Sequence, residues 1–271
     1  MIKSAIITKR ERRFNKRAVL AGVIFIATLL VVGGWFINLK FQPKTGVVAP
    51  AALSSPYAYD NPQEPIGTVA LTLVYVVPND ANGNSTSGQW EKELGIAAFI
   101  DKVVRFYELQ LEGRSRIIWR IVPEPVIGNK TSLEYGGSNT NEGNPEALLK
   151  LKEEIGDRMQ KGEIRPSNFS QEISDDAYSV LAIIFQDVGL AGTEHALLLS
   201  DAYLQNEEFR RNGPTLFAHE FGHALGISDF YEYDSALNRE YVLNDDIMGA
   251  GRWLPIEQTY VSEETKIKMG L

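Results

Sequence analysis

The chain has 271 residues, 44% of them apolar, enough for one substantial core or two small ones. Its formal charge of −8 joins a basic head to an acidic body: residues 1–17 hold seven Lys/Arg against one Glu, and from residue 41 onward 19 basic residues face 34 acidic ones. The acidic body argues against nucleic-acid binding and against docking on an anionic membrane surface, and the lack of cysteine excludes disulfides, thiolate metal ligands and cysteine nucleophiles.

The first predicted element is the uncharged run 18–37, AVLAGVIFIATLLVVGGWFI. As a helix it spans roughly 30 Å, the thickness of a hydrocarbon core. The basic tail 1–17 predicts a cytoplasmic N-terminus, with residue 41 onward on the outer side. A cleaved signal peptide, giving a secreted protein, is the alternative. Its apolar core is usually shorter, and Ala49-Pro50-Ala51 is a poor and distant cleavage site. Residues 38–67 carry five of the twelve prolines and read as an extended stalk. Residues 68–271 then form one domain.

Within that domain the near-continuous β-branched run 69–77 predicts a strand covered on both faces. Helical spacing of apolar residues follows over 89–111. Residues 116–122 form a second strand, 145–161 a second helix, 179–186 a third strand and 196–199 a short fourth one. A helix over 214–225 has Pro214 in its first turn, where a missing N–H costs nothing. Ser262 is the expected N-cap of a final helix. Alternating strands and helices predict an α+β (mixed α/β) fold around a mixed sheet with right-handed crossovers.

The chemistry lies in HEFGHALGISD, residues 219–229. His219 and His223 are four apart, so both imidazoles leave one face of the helix and can reach a single zinc ion. Glu220 sits beside the first of them, near enough to touch a water on the metal. Gly226 suits the residue of positive φ that ends a helix, after which the chain can turn back and present Asp229 as third ligand. Glu232 and Asp234 are rivals for that place. A packed helix that merely happens to carry two histidines is the bland alternative, and the spacing with Glu220 argues against it.

This stretch resembles the H-E-x-x-H-x-x-G-x-x-(H/D) pattern of the metzincin zinc metalloproteases. Its wording, and the tyrosine-rich acidic loop after it, are similar to immune-inhibitor-type secreted bacterial proteases. Asp245-Asp-Ile-Met-Gly-Ala250 resembles their Met-turn and points to Met248 beneath the ligands; the plain alternative is a methionine that fills the core. The likeness covers roughly residues 214–253. It implies a twisted metzincin-like sheet, a zinc-binding helix, a C-terminal helix and an edge strand, placed at 196–199, that pairs with extended substrate. The chain departs from the commonest pattern in having Asp229 where histidine is usual.

These readings lead to a membrane-anchored zinc metalloendopeptidase acting outside the cytoplasm on peptide or protein substrates, with Glu220 as general base toward a zinc-activated water. A non-catalytic, zinc-stabilised peptide-binding module and a zinc amidase on a non-protein substrate are the alternatives. Tyr260 and Tyr241 are oxyanion candidates by residue type alone. His195 reads as a surface or packed histidine rather than a subsite residue. Asp80, Asn82, Asn84 and Glu91 have calcium-loop spacing, but Ser85 stands where glycine is required, so Ca²⁺ is unsupported there. For Asp245 and Asp246, turn capping, calcium and solvation all remain open.

Overall fold

The computed structural model describes residues 55–58, 61–81, 89–136, 143–173, 175–206, 210–234, 239–242 and 244–271, and over 231–234 and 239–242 it describes the main chain. In chain order the elements are β1 (Thr68–Val77), α1 (Trp90–Glu93), α2 (Ile96–Gln110), β2 (Arg116–Ile121), β3 (Val126–Ile127), α3 (Ser132–Tyr135) and α4 (Pro145–Gln160). Then come β4 (Tyr178–Phe185), β5 (Leu190–Thr193), β6 (Ala196–Ser200), α5 (Ala202–Gln205), α6 (Gly213–Ala224), β7 (Tyr231–Asp234) and β8 (Arg239–Val242). Two 3₁₀ turns, Ala250–Trp253 and Ile256–Gln258, lead to α7 (Glu263–Lys268).

The fold is mixed α/β around a six-stranded, mostly parallel sheet. The strand order is β2-β1-β4-β6-β5, with β3 extending the pairing of β1. All neighbours run parallel except β5, which is antiparallel to β6. β1 is an interior strand, paired on both sides and buried on both faces, hence its nearly unbroken apolar sequence. Its Val69, Leu71, Leu73, Tyr75 and Val77 join a core with α2 and α6, while Val74 and Val76 join a second core with α4. The two crossovers run in opposite directions across the sheet and pass on opposite faces, as one hand of connection requires.

Three expectations are corrected. The segment 196–199 is not the edge: β6 is interior, flanked by β4 and β5, and the edge on that side is the four-residue β5, with β2 at the opposite edge. LAGT is too short and too poor in apolar residues to announce a strand, and only pairing to β6 makes it one. The helix expected over 89–111 is two helices, because Gly95 adopts a left-handed backbone (φ 62) between α1 and α2. The stalk ends earlier than 67. Ala58 and Ile66 are fully buried, Tyr57 N–H donates to the Met269 carbonyl, and the compact unit runs from Ala52 to Leu271.

The tail 1–17 and the apolar run 18–37 lie outside the described residues. Among those described, no helix is long and apolar enough to cross a membrane. Ser262 does cap the last helix, its hydroxyl accepting from Thr265 N–H.

Candidate metal centre

α6 is buried at every position from Gly213 to Gly222, so its register in the core dictates where its polar side chains point. Phe217 and Phe221 enter the core. Tyr107 of α2 donates to the Ala218 carbonyl at 2.7 Å and pins the helix from below. His219 and His223 leave another face together, with ring centroids 4.8 Å apart.

Each imidazole spends its Nδ1–H on a main-chain carbonyl: His219 on Ile247 at 2.8 Å, His223 on Ile227 at 2.7 Å. Those bonds select the tautomer that leaves Nε2 bare as a donor to a metal. The helix ends at Gly226, which takes φ 85; its N–H bonds the His223 carbonyl and Ile227 N–H bonds the Gly222 carbonyl. This is a Schellman stop, which a side chain in the left-handed region would strain. The stop swings the Ile227 carbonyl under His223 and brings Asp229 back over the helix.

Asp229 Oδ1 lies 3.2 Å from Nε2 of both histidines. Ligand atoms about 2 Å from one tetrahedral ion stand about 3.3 Å apart, so these three atoms already have the spacing of a shared metal. They form the one such group of His, Asp and Glu among the described residues, its ligand atoms all within 4.8 Å of one another. The group can hold a metal ion. The two histidines act on the Asp229 carboxyl. Burial raises the Asp229 carboxyl, but their hydrogen bonds outweigh burial and hold it well below the usual carboxylate range. Burial depresses His223, and the Asp229 bond together with the charges of Glu220 and Asp229 more than reverses that.

The side chains of Glu232 and Asp234 lie outside the described residues, as does that of Tyr241; their main chains belong to the β7–β8 hairpin. Tyr260 is partly exposed, and its carbonyl accepts from Ile247 N–H.

Glu220 is 6% exposed, and burial pushes its carboxyl up against the opposing pull of His219 and His223. Facing it is Gly192 of β5. A Cβ there would stand 2.5 Å from the Glu220 carbonyl oxygen, 2.6 Å from His223 Cβ and 3.0 Å from Glu220 Oε2. The edge strand therefore lies directly on the helix at the site.

Ladder parity fixes which groups of β5 face outward. Ser200 N–H donates to the Gly189 carbonyl, so in the antiparallel register Leu190 and Gly192 turn their N–H and C=O away from β6. The Leu190 carbonyl is taken by Asn144 N–H at 2.8 Å. Asn144 is itself locked as N-cap of α4, with Nδ2 donating to the Gly136 carbonyl. Gly192 is the outward residue of β5 that adjoins Glu220.

Met248 is fully buried against Gly222, between the two histidines on the helix. Asp246 caps its turn by accepting from Met248 N–H, which decides the earlier choice among capping, calcium and solvation; Asp245 is exposed. His195 closes the β5–β6 turn with φ 63, stacks on Tyr178 and donates N–H to the Ala224 carbonyl, docking the hairpin on the end of α6. Asp80 accepts from Ser132 N–H at the start of α3, and residues 82–88 lie outside the described residues.

Sequence reasoning missed Gly192, which has no local signal, and the part played by Asp246, which rests on residues far along the chain. No protein-family model matches this chain, and no curated protein is similar to it.

Proposed function

We propose that the chain is a zinc-dependent metalloendopeptidase of metzincin type, hydrolysing peptide bonds outside the cytoplasm while held at the membrane by residues 18–37. The observation that carries this reading is the convergence of His219 Nε2, His223 Nε2 and Asp229 Oδ1 beside the buried Glu220. Two imidazoles and a carboxylate, with no thiolate, form the donor set of a catalytic rather than a structural zinc site. Bound there, zinc supplies Lewis-acid polarisation of a carbonyl and an acidified water.

The chain's own residues do the rest. His219 and His223 are oriented by the Ile247 and Ile227 carbonyls. Asp229 contributes negative charge in place of a third imidazole. Glu220 takes a proton from the attacking water and delivers it to the departing amine. Its low exposure keeps bulk water from competing for that proton. The outward N–H and C=O of Gly192 offer an extended peptide one pair of strand-type hydrogen bonds beside Glu220. The mostly parallel sheet, with an antiparallel edge strand shortly ahead of the metal helix, is compatible with the metzincin arrangement.

The test uses the full chain in detergent, as wild type and as Glu220→Ala, incubated with a mixed peptide library and read for new termini by mass spectrometry. Cuts made by the wild type, absent from the variant and abolished by a chelator, support the peptidase. Equal and metal-dependent retention of peptides by both, with no cuts, would instead favour the non-catalytic binding module.

A further inference from the structure

Asp246 stands at the centre of a hydrogen-bond hub that the proposed reaction does not use. Its side chain is fully buried. Oδ1 accepts from Met248 N–H at 2.6 Å, and Oδ2 accepts from the Thr265 hydroxyl at 2.8 Å and from Ser262 N–H at 2.5 Å. One carboxylate thus ties the Met248 turn to the first turn of α7. Between its two attachments runs the peptide of Ile247. Ile247 N–H is held by the Tyr260 carbonyl at 2.8 Å, and the Ile247 carbonyl accepts from His219 Nδ1–H at 2.8 Å.

A metal-binding imidazole is aimed by the group that takes its other N–H. Here that group is a main-chain carbonyl, whose direction depends on what holds the peptides around it. We infer that Asp246 is the positioning residue of the metal centre: by fixing the 246–248 turn against α7 it orients the Ile247 carbonyl, and through it His219. The inference rests on the metal reading above and assigns the C-terminal helix a part in metal binding, although that helix contributes no ligand. Asparagine at 246 keeps the size and one acceptor oxygen. Its amide nitrogen accepts no hydrogen bond, so whichever way the amide turns, either Met248 N–H or the Ser262 N–H with its Thr265 neighbour loses its acceptor.

The full chain is titrated with zinc against a chelating dye, and its cobalt-substituted form is examined by visible absorption. Asp246→Asn should bind zinc about 10- to 100-fold more weakly, the usual effect of losing an outer partner of a ligand, and should shift the cobalt bands. Thr265→Val removes one of the three donors and should fall between that variant and wild type. Thr259→Val is the control. It removes another buried hydroxyl of the same segment, which donates to the Asp245 carbonyl at 3.0 Å and not to Asp246, and should bind as wild type does. The inference is overturned if Asp246→Asn and Thr265→Val both match Thr259→Val in affinity and spectrum. Should Asp246→Asn not fold, Thr265→Val matching the control is enough to overturn it. A wild type that takes up no zinc removes the metal reading itself, and the titration separates that outcome from the others.

Discussion

Gly192 in the edge strand β5 and Glu220 in α6 lie so close that one added methyl group would stand 3.0 Å from the Glu220 carboxylate. Two elements meet there without a side chain between them. The outward backbone of β5 and the helix that carries Glu220 are thereby held as one surface.

Gly192→Ala should force that contact open. Over-packing of this kind costs about 1–3 kcal/mol, readable by urea unfolding. A shift of the strand by about 1 Å relative to Glu220 should lower kcat/KM by about 100-fold. The histidines keep their own carbonyl partners, so zinc affinity should change much less. Activity within a few-fold of wild type would mean that the strand and the base are not coupled.

Metal removal should loosen the domain as well as stop catalysis. Zinc at about 1,000 times its dissociation constant adds about 4 kcal/mol to a site that exists only when folded. Thermal unfolding should therefore move down on adding a chelator and recover on adding zinc. Asp229→Ala should lose most of that shift, whereas Glu232→Ala and Asp234→Ala should keep it. The reverse pattern would reassign the third ligand.

Gly226→Ala places a side chain at φ 85. The left-handed conformation costs about 1–2 kcal/mol for such a residue, and relief of it would move the Ile227 carbonyl away from His223. Lower stability should appear together with weaker zinc binding. Lower stability alone would show that the helix stop does not aim the ligand.

Asn144 should limit how much substrate the edge can hold. Its N–H covers the Leu190 carbonyl, so an added strand pairs at Gly192 and must leave the sheet about two residues further on. In a series of peptides trimmed from each end, kcat/KM should stop depending on length within about two residues of the cut on one side. Dependence that extends equally far on both sides would contradict this.

Much of the site was legible beforehand because its geometry is local. The four-residue spacing of His219 and His223 follows from the pitch of one helix. Gly226 is a helix stop wherever it sits, and Asp229 follows within reach of the turn it makes. The strands at 69–77 and 179–186 were legible for a similar reason: interior strands of a covered sheet are apolar almost throughout, and these are. The segment 116–122, at the far edge of the sheet, was betrayed by its β-branched and aromatic run despite Arg116 and Arg120. The edge strand β5 escaped because its identity depends on pairing. Four residues, Leu-Ala-Gly-Thr, carry no periodicity of their own, and the more apolar 196–199 took the place that belonged to them.

The sequence by itself thus determined the candidate ligand types, the helix that carries two of them, the acid beside them and the mixed α/β class, since each depends on residues within a turn or a strand of one another. Tertiary structure alone decided that Asp229 meets both histidines, that Gly192 lies on Glu220 and that Asp246 links the Met248 turn to α7. It also decided which strand stands at the edge. Those relations join residues brought together by packing, and no local pattern records a distance set by the rest of the core.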